Sequence, residues 1–222
     1  MLPDLPKTEI AIVEMTNAFR KEHARGDLKP NAALTAAARA FAEFLAKTGK
    51  FAHEADGREP QQRAEAQGYR YCLVAENLAL NLDSRGFESH QLAREAVEGW
   101  KASPGHRANM LQAAITEIGV AVVRAPDKDP KFISVQLFGR PEALKIKFTL
   151  ENRSGVSVRY TLGNEAHKLP ARTIVTHTVC DARLLALDKA GAVGTQFEPR
   201  NGDHFAVRAG AAGAIEVKLE RK

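Results

Sequence analysis

Cysteine is nearly absent from this chain: Cys72 and Cys180 are the only two among 222 residues. Two are too few for a disulfide-built scaffold, and their spacing is not that of a metal knuckle. Long apolar runs are missing as well, since no stretch approaches the roughly 18 residues a spanning helix needs. Aromatic residues make up only 6% of the chain, and the 32 Lys and Arg residues, which exceed the 27 acids to give +5, form no block. A nucleic-acid reader is expected to show a clustered basic stripe with interleaved aromatics, so that class is excluded, while weak attraction to anionic envelope polymers or lipid headgroups is compatible. The opening MLPDLPKTEI has neither the basic nor the apolar region of a signal peptide, which leaves a cytosolic protein or one already trimmed. No HExxH spacing and no GxSxG elbow occurs, so neither a helical zinc-protease motif nor a strained serine turn is available.

What is present is ordinary for a globular protein, with 44% hydrophobic and 27% charged residues. The length suits one domain of about 140 residues and a smaller one of about 80. Ile12, Met15 and Phe19 recur at helical spacing and predict a first helix from Lys7 to Ala24, stopped by Gly26 and Pro30. Leu34, Ala38, Phe41 and Leu45 predict a second over Ala32 to Thr48, with Gly49 beyond it. Pro60 to Gln67 reads as a short helix ended by Gly68, and Ser89 to Lys101 as another, carrying Leu92, Ala96 and Trp100 on one face. Ser103 before Pro104 reads as the N-cap of a helix through Leu111, its hydroxyl engaged in capping. Strands begin at Glu117, and Ile133, Val135 and Leu137 share one face. Gly139-Arg140-Pro141 marks a boundary between residues 1–139 and a small antiparallel β domain over 143–222. In the latter, residues 144–150 and 156–162 alternate around Gly155, Asn201-Gly202 turns between strands bearing Phe197 and Phe205, and Ile215 to Leu219 forms the last strand.

Five short motifs stand in order through the larger part: Asn17 with Arg20, FAH at Phe51 to His53, AENL from Ala75, GWKASPGHRANML from Gly99, and TEIGV from Thr116. On these the chain resembles the CAP superfamily of cysteine-rich secretory proteins, antigen 5 and pathogenesis-related proteins, in its bacterial SCP-like extracellular branch. The resemblance covers roughly Glu9 to Gly139. It implies an α+β fold with an α-β-α sandwich, an exported protein located outside the cell or in the periplasm, and a cleft in which His53, Glu76 and His106 converge. A second acidic residue of the family's cleft falls at Ser103, which leaves one carboxylate rather than an acid–base pair.

Three chemistries compete for those residues. Two imidazoles and a carboxylate, His53, His106 and Glu76, suit Zn²⁺ with an open position, and a metal-assisted hydrolase would follow. Ser103, His106 and Glu76 could instead form a nucleophile relay, a reading weakened because Ser103 is expected to cap a helix. The preferred reading makes the three the polar floor of a binding cleft for a small ligand, lipid or cell-envelope component, without catalysis. Asn77 is expected to bond to nearby backbone, and Arg107 to clamp Glu117 beneath the cleft. Trp100 reads as core. Cys72 and Cys180 either pair, closing a loop of about 100 residues at a gain of at most about 4–5 kcal/mol, or stand as buried thiols. No feature fixes the oligomeric state.

Overall fold

The computed structural model describes residues 1–189, 192–210 and 214–220, and they fall into two compact units, Met1–Ala143 and Leu144–Lys222. The first is built on a four-stranded sheet of order β1-β3-β4-β2. Its strands are β1 (Lys29–Pro30), β2 (Tyr71–Leu82), β3 (Glu117–Arg124) and β4 (Lys131–Pro141). Helices α1 (Leu5–Glu22), α4 (Ser89–Ala102) and α5 (Pro104–Leu111) are associated with one face, and α2 (Ala32–Thr48) and α3 (Pro60–Ala66) with the other. Alternation along the strands produces the layering. Ile118, Val120, Val122, Phe132 and Phe138 pack with the α1–α4 side, while Ala121, Ile133, Val135 and Leu137 pack with the α2 side. This is the expected α-β-α sandwich.

Helix ends follow local chemistry. Asn31 Oδ1 accepts from the backbone N–H of Ala33 and Leu34, and Gly49 takes the left-handed conformation at φ 69°, so α2 starts and stops where its sequence says. Helix α1 starts earlier than expected, because Asp4 accepts from Lys7 N–H at 3.0 Å and Pro6 occupies the first turn. It also ends at Glu22, since Ala24 turns left-handed at φ 52° before the chain reaches Gly26. Ser103 is the N-cap of α5, but contrary to expectation its hydroxyl makes no capping bond.

Two strands were not apparent in the sequence. β1 pairs in parallel with β3. β2, which carries the AEN motif, runs antiparallel to β4 from Leu82 opposite Lys131 to Tyr71 opposite Pro141. Gly119 on β3 permits a close approach of α2: a Cβ there would stand 2.2 Å from the backbone carbon of Leu34 and 2.3 Å from Thr35 N.

The second unit holds β5 (Ile146–Asn152), β6 (Val158–Leu162), β7 (Glu165–Leu169), β8 (Ile174–Val179), β9 (Leu185–Lys189), β10 (Ala192–Phe197), β11 (His204–Ala209) and β12 (Ile215–Glu220). They form two sheets, β10-β9-β6-β7 and β12-β11-β5-β8, around a core that includes Phe148, Leu150, Tyr160, Leu185 and Phe205. The strands flanking Gly155 therefore lie in different sheets rather than pairing with each other. Pairing is antiparallel except between β5 and β11, which run parallel.

Neither cysteine is a free thiol. Cys72 lies in β2 of the first unit, and Cys180 follows β8 in the second.

Candidate functional site

Three elements supply the candidate side chains: the turn region after α2 carries His53, β2 carries Glu76, and α5 carries His106. Helix α5 is fixed by residues around it. Arg20, 1% exposed, donates through Nη1 to the carbonyls of Met110 at 2.6 Å and Gln112 at 3.1 Å, satisfying acceptors where the helix ends. A buried amide chain does the rest. Gln136 Nε2 donates to Thr16 Oγ1, Asn77 Nδ2 donates to Gln136 Oε1 and to the His106 carbonyl, and Asn109 Nδ2 donates to Asn77 Oδ1. Asn77 thus bonds to backbone as expected, and Gln136 and Thr16 extend the chain in a way the sequence did not suggest. Asn109 Nδ2 also donates to the Glu76 carbonyl at 3.1 Å, and Trp100, 1% exposed, donates from Nε1 to the Leu78 carbonyl at 2.9 Å.

His53, Glu76 and His106 do come together. The Nδ1–H of His53 donates to Glu76 Oε1 at 2.8 Å, and the rings of His53 and His106 have centroids 6.4 Å apart at a tilt of 56°. The Glu76 side chain is 1% exposed and that of His53 50% exposed, so the carboxylate is buried while the imidazole reaches solvent. With Nδ1 committed to the carboxylate, Nε2 of His53 is the nitrogen left for an incoming group. Its hydrogen bond to Glu76 raises the pKa of His53 despite partial burial. Burial lowers that of His106, with a smaller contribution from His53. Two imidazoles of different basicity therefore stand side by side.

The residue that sequence reasoning missed is Arg63. Its side chain is 4% exposed, and it donates through Nη2 to Glu76 Oε2 and to the His53 carbonyl, and through Nη1 to Asp56 Oδ1 and the Arg58 carbonyl. The guanidinium carbon lies 3.6 Å from the centroid of the Phe41 ring. Arg63 sits in a seven-residue helix with the small Ala64 beside it, and no periodicity marks it as turned inward.

As ligands for Zn²⁺ the residues present do not fit. Both oxygens of Glu76 already accept bonds, one from His53 and one from Arg63, and the guanidinium places positive charge 2.8 Å from the carboxylate a cation would need. Among the described residues no group of three or more His, Cys, Asp or Glu is arranged to hold a metal ion. The Ser103–His106–Glu76 relay also lacks its geometry, because Glu76 orients His53 rather than His106.

Two further expectations are corrected. Arg107 does not clamp Glu117: its Nη2 donates to His23 Nε2 at 3.0 Å, and its guanidinium carbon lies 5.1 Å from the Phe19 ring centroid. His23 can accept there because its other nitrogen faces the Phe19 carbonyl at 2.9 Å, which only accepts. Glu117 instead accepts from the Tyr69 hydroxyl at 2.6 Å, and burial together with this carboxylate pushes the Tyr69 phenol well above its usual range.

Comparison with known proteins places the fold. The Bacillus subtilis protein YkwD is 29% identical over 118 residues, which is 53% of this chain and 43% of that protein, so the chain spans less than half the length of this relative. An extracellular protein containing an SCP domain from Bacillus anthracis superposes with a TM-score of 0.51 at 24% identity, covering 61% of this chain and 41% of that one. An outer surface protein from Borrelia burgdorferi superposes with a TM-score of 0.50 at 22% identity, covering 59% of this chain and 90% of that one. These two likenesses establish the fold. The sequence profile of the Cysteine-rich secretory protein family, CAP, matches residues 13–138, more than half of the chain, from within α1 to within β4 and including His53, Glu76 and His106, and the chain belongs to that family.

Proposed function

We propose that this chain is an exported, envelope-associated binding protein whose His53–His106 patch recognises the polar part of a small ligand, lipid or envelope component. The observation that carries the reading is the commitment of Glu76. Held by Arg63 and His53, the only carboxylate of the trio is spent on positioning, which leaves no free acid–base pair and no cation cage. What faces outward is His53 Nε2, a donor when the ring is protonated, beside a less basic imidazole whose nitrogens make no hydrogen bond among the described residues. Such a pair suits a ligand group that both accepts and donates hydrogen bonds, such as a hydroxylated or amide-bearing head. The extracellular nature of the Bacillus anthracis relative supports export. Pairing of Cys72 with Cys180 belongs to the same reading, because neither is a free thiol and disulfides persist in oxidising compartments. A non-reducing peptide digest is expected to yield a single linked mass for the two cysteine peptides.

The test of the site is a double variant, His53→Ala with His106→Ala, assayed for retention on isolated cell-envelope fractions and on vesicles of envelope lipids. Loss of retention of about tenfold or more, with an unchanged circular dichroism spectrum, is the expected result. Full retention by the folded variant would move recognition to the outer surface and overturn the reading.

A further inference from the structure

Arg63 also lines a cavity of about 320 Å³ walled by α2, the turn region after it and α3. Its volume falls within the range of sites that hold small molecules. The α2 wall is apolar. Phe41 and Phe44 lie nearly parallel, with ring centroids 6.5 Å apart at an interplanar angle of 11°, and Ala37 and Ala40 flank them. The opposite wall is cationic. Arg58 is exposed and has no ion pair among the described residues, whereas Asp56, the only acid in the lining, is held by Arg63 at 2.8 Å. Arg63 itself forms part of the wall. It is buried, and although four acceptors surround its two terminal nitrogens, its Nε has no hydrogen-bond partner.

We propose that this cavity is a binding site for a small aromatic carboxylate. The ring would lie against Phe44 and Ala40, the accessible part of the α2 wall, and the carboxylate would pair with the Arg58 guanidinium. Each part of that ligand answers a separate observation: the half-buried Phe44 ring beside Ala40 offers an apolar surface for a flat body, and the exposed Arg58, with no ion pair among the described residues, asks for an anion. The site is distinct from the His53–His106 patch, although Arg63 touches both.

The experiment is a titration of the full chain with 3-phenylpropionate, followed by amide chemical shifts and by calorimetry. Saturable shifts in α2, α3 and the connecting turns are expected, with a dissociation constant on the order of 1 mM or tighter for a ligand of this size. Arg58→Gln, at an exposed position, is expected to weaken binding about two- to fivefold, as is replacing the ligand by the neutral 3-phenylpropanol. Ala40→Trp, at an exposed helix position, is expected to abolish binding by filling the cavity. Absence of saturable shifts overturns the proposal, and so does binding that is indifferent to both Ala40→Trp and Arg58→Gln in variants with unchanged helix signals.

Discussion

Arg63 is the side chain on which most of the candidate site depends. A buried guanidinium facing two carboxylates is stable only while all of them remain, because an unpaired charge in the interior keeps its full desolvation cost. Replacing Arg63 with Met, which roughly preserves volume, leaves Glu76 buried and held only by His53. A loss of about 3–5 kcal/mol in urea-unfolding free energy is expected. Arg63→Lys is expected to recover only part of it, since one ammonium cannot satisfy Asp56, Glu76 and two carbonyls at once. A variant as stable as the parent would show that the pair is fully hydrated in solution. Nothing in the sequence singles this residue out. A helical arginine beside glutamines reads as a solvated surface, and its inward turn is set by partners on β2 and the preceding turn that lie remote along the chain. His53, Glu76 and His106 were legible only through family motifs, because no local spacing joins residues contributed by a turn, a strand and a helix.

At the scale of elements, legibility tracks whether the ends carry their own chemistry. Helix α2 could be read from its sequence because Asn31 and Gly49 each encode one boundary. Strand β2 could not. Its sequence YCLVAENLALNL is rich in Ala, Leu, Glu and Asn, which form helices or caps as readily as strands, and its extended state is imposed by the ladder with β4. Gly119 is where two elements constrain each other most closely. A methyl group there would overlap the backbone of α2, which cannot swing aside as a side chain can. Gly119→Ala is expected to cost about 1–3 kcal/mol or more by forcing α2 away from the sheet. Thermal unfolding checks this, and a melting temperature unchanged from the parent would show that the helix–sheet spacing is softer than the contact distances indicate.

At the scale of the whole molecule, acid is expected to act on the second unit through His177. In that unit, His177 Nε2 lies 2.8 Å from the Tyr160 hydroxyl, its ring stacks 5.2 Å from Phe148, and the His167 ring stands 5.5 Å away. Burial, and then the neighbouring His167, lowers the pKa of His177 from 6.5, so folding favours the neutral ring. The sign follows directly: the stabilisation is complete above 6.5 and is lost as pH falls from there through the lowered folded-state value. Hydrogen exchange on the full chain is expected to show β5 and β8 losing protection over that interval, with a weaker pH dependence in His177→Gln. Protection that stays constant across the interval would show that His177 does not couple to folding of this unit. The sequence suggests a boundary at Gly139-Arg140-Pro141, whereas the change from helical stripes to alternating Val and Ile comes earlier, at Glu117, inside the first unit. The assignment of β5 and β6 to different sheets is not legible in the sequence, because alternation identifies a strand's faces without naming its neighbour.

The bonds from Asn109 to the Glu76 carbonyl and from Trp100 to the Leu78 carbonyl bear on how anything can be held at this site. β2 is a terminal strand, and its outward acceptors beside the imidazoles are already occupied. An extended polypeptide therefore cannot zip its main chain onto the sheet there. Under the proposed binding function, a ligand at the imidazoles would have to be recognised by its substituents rather than by the repeat of a backbone.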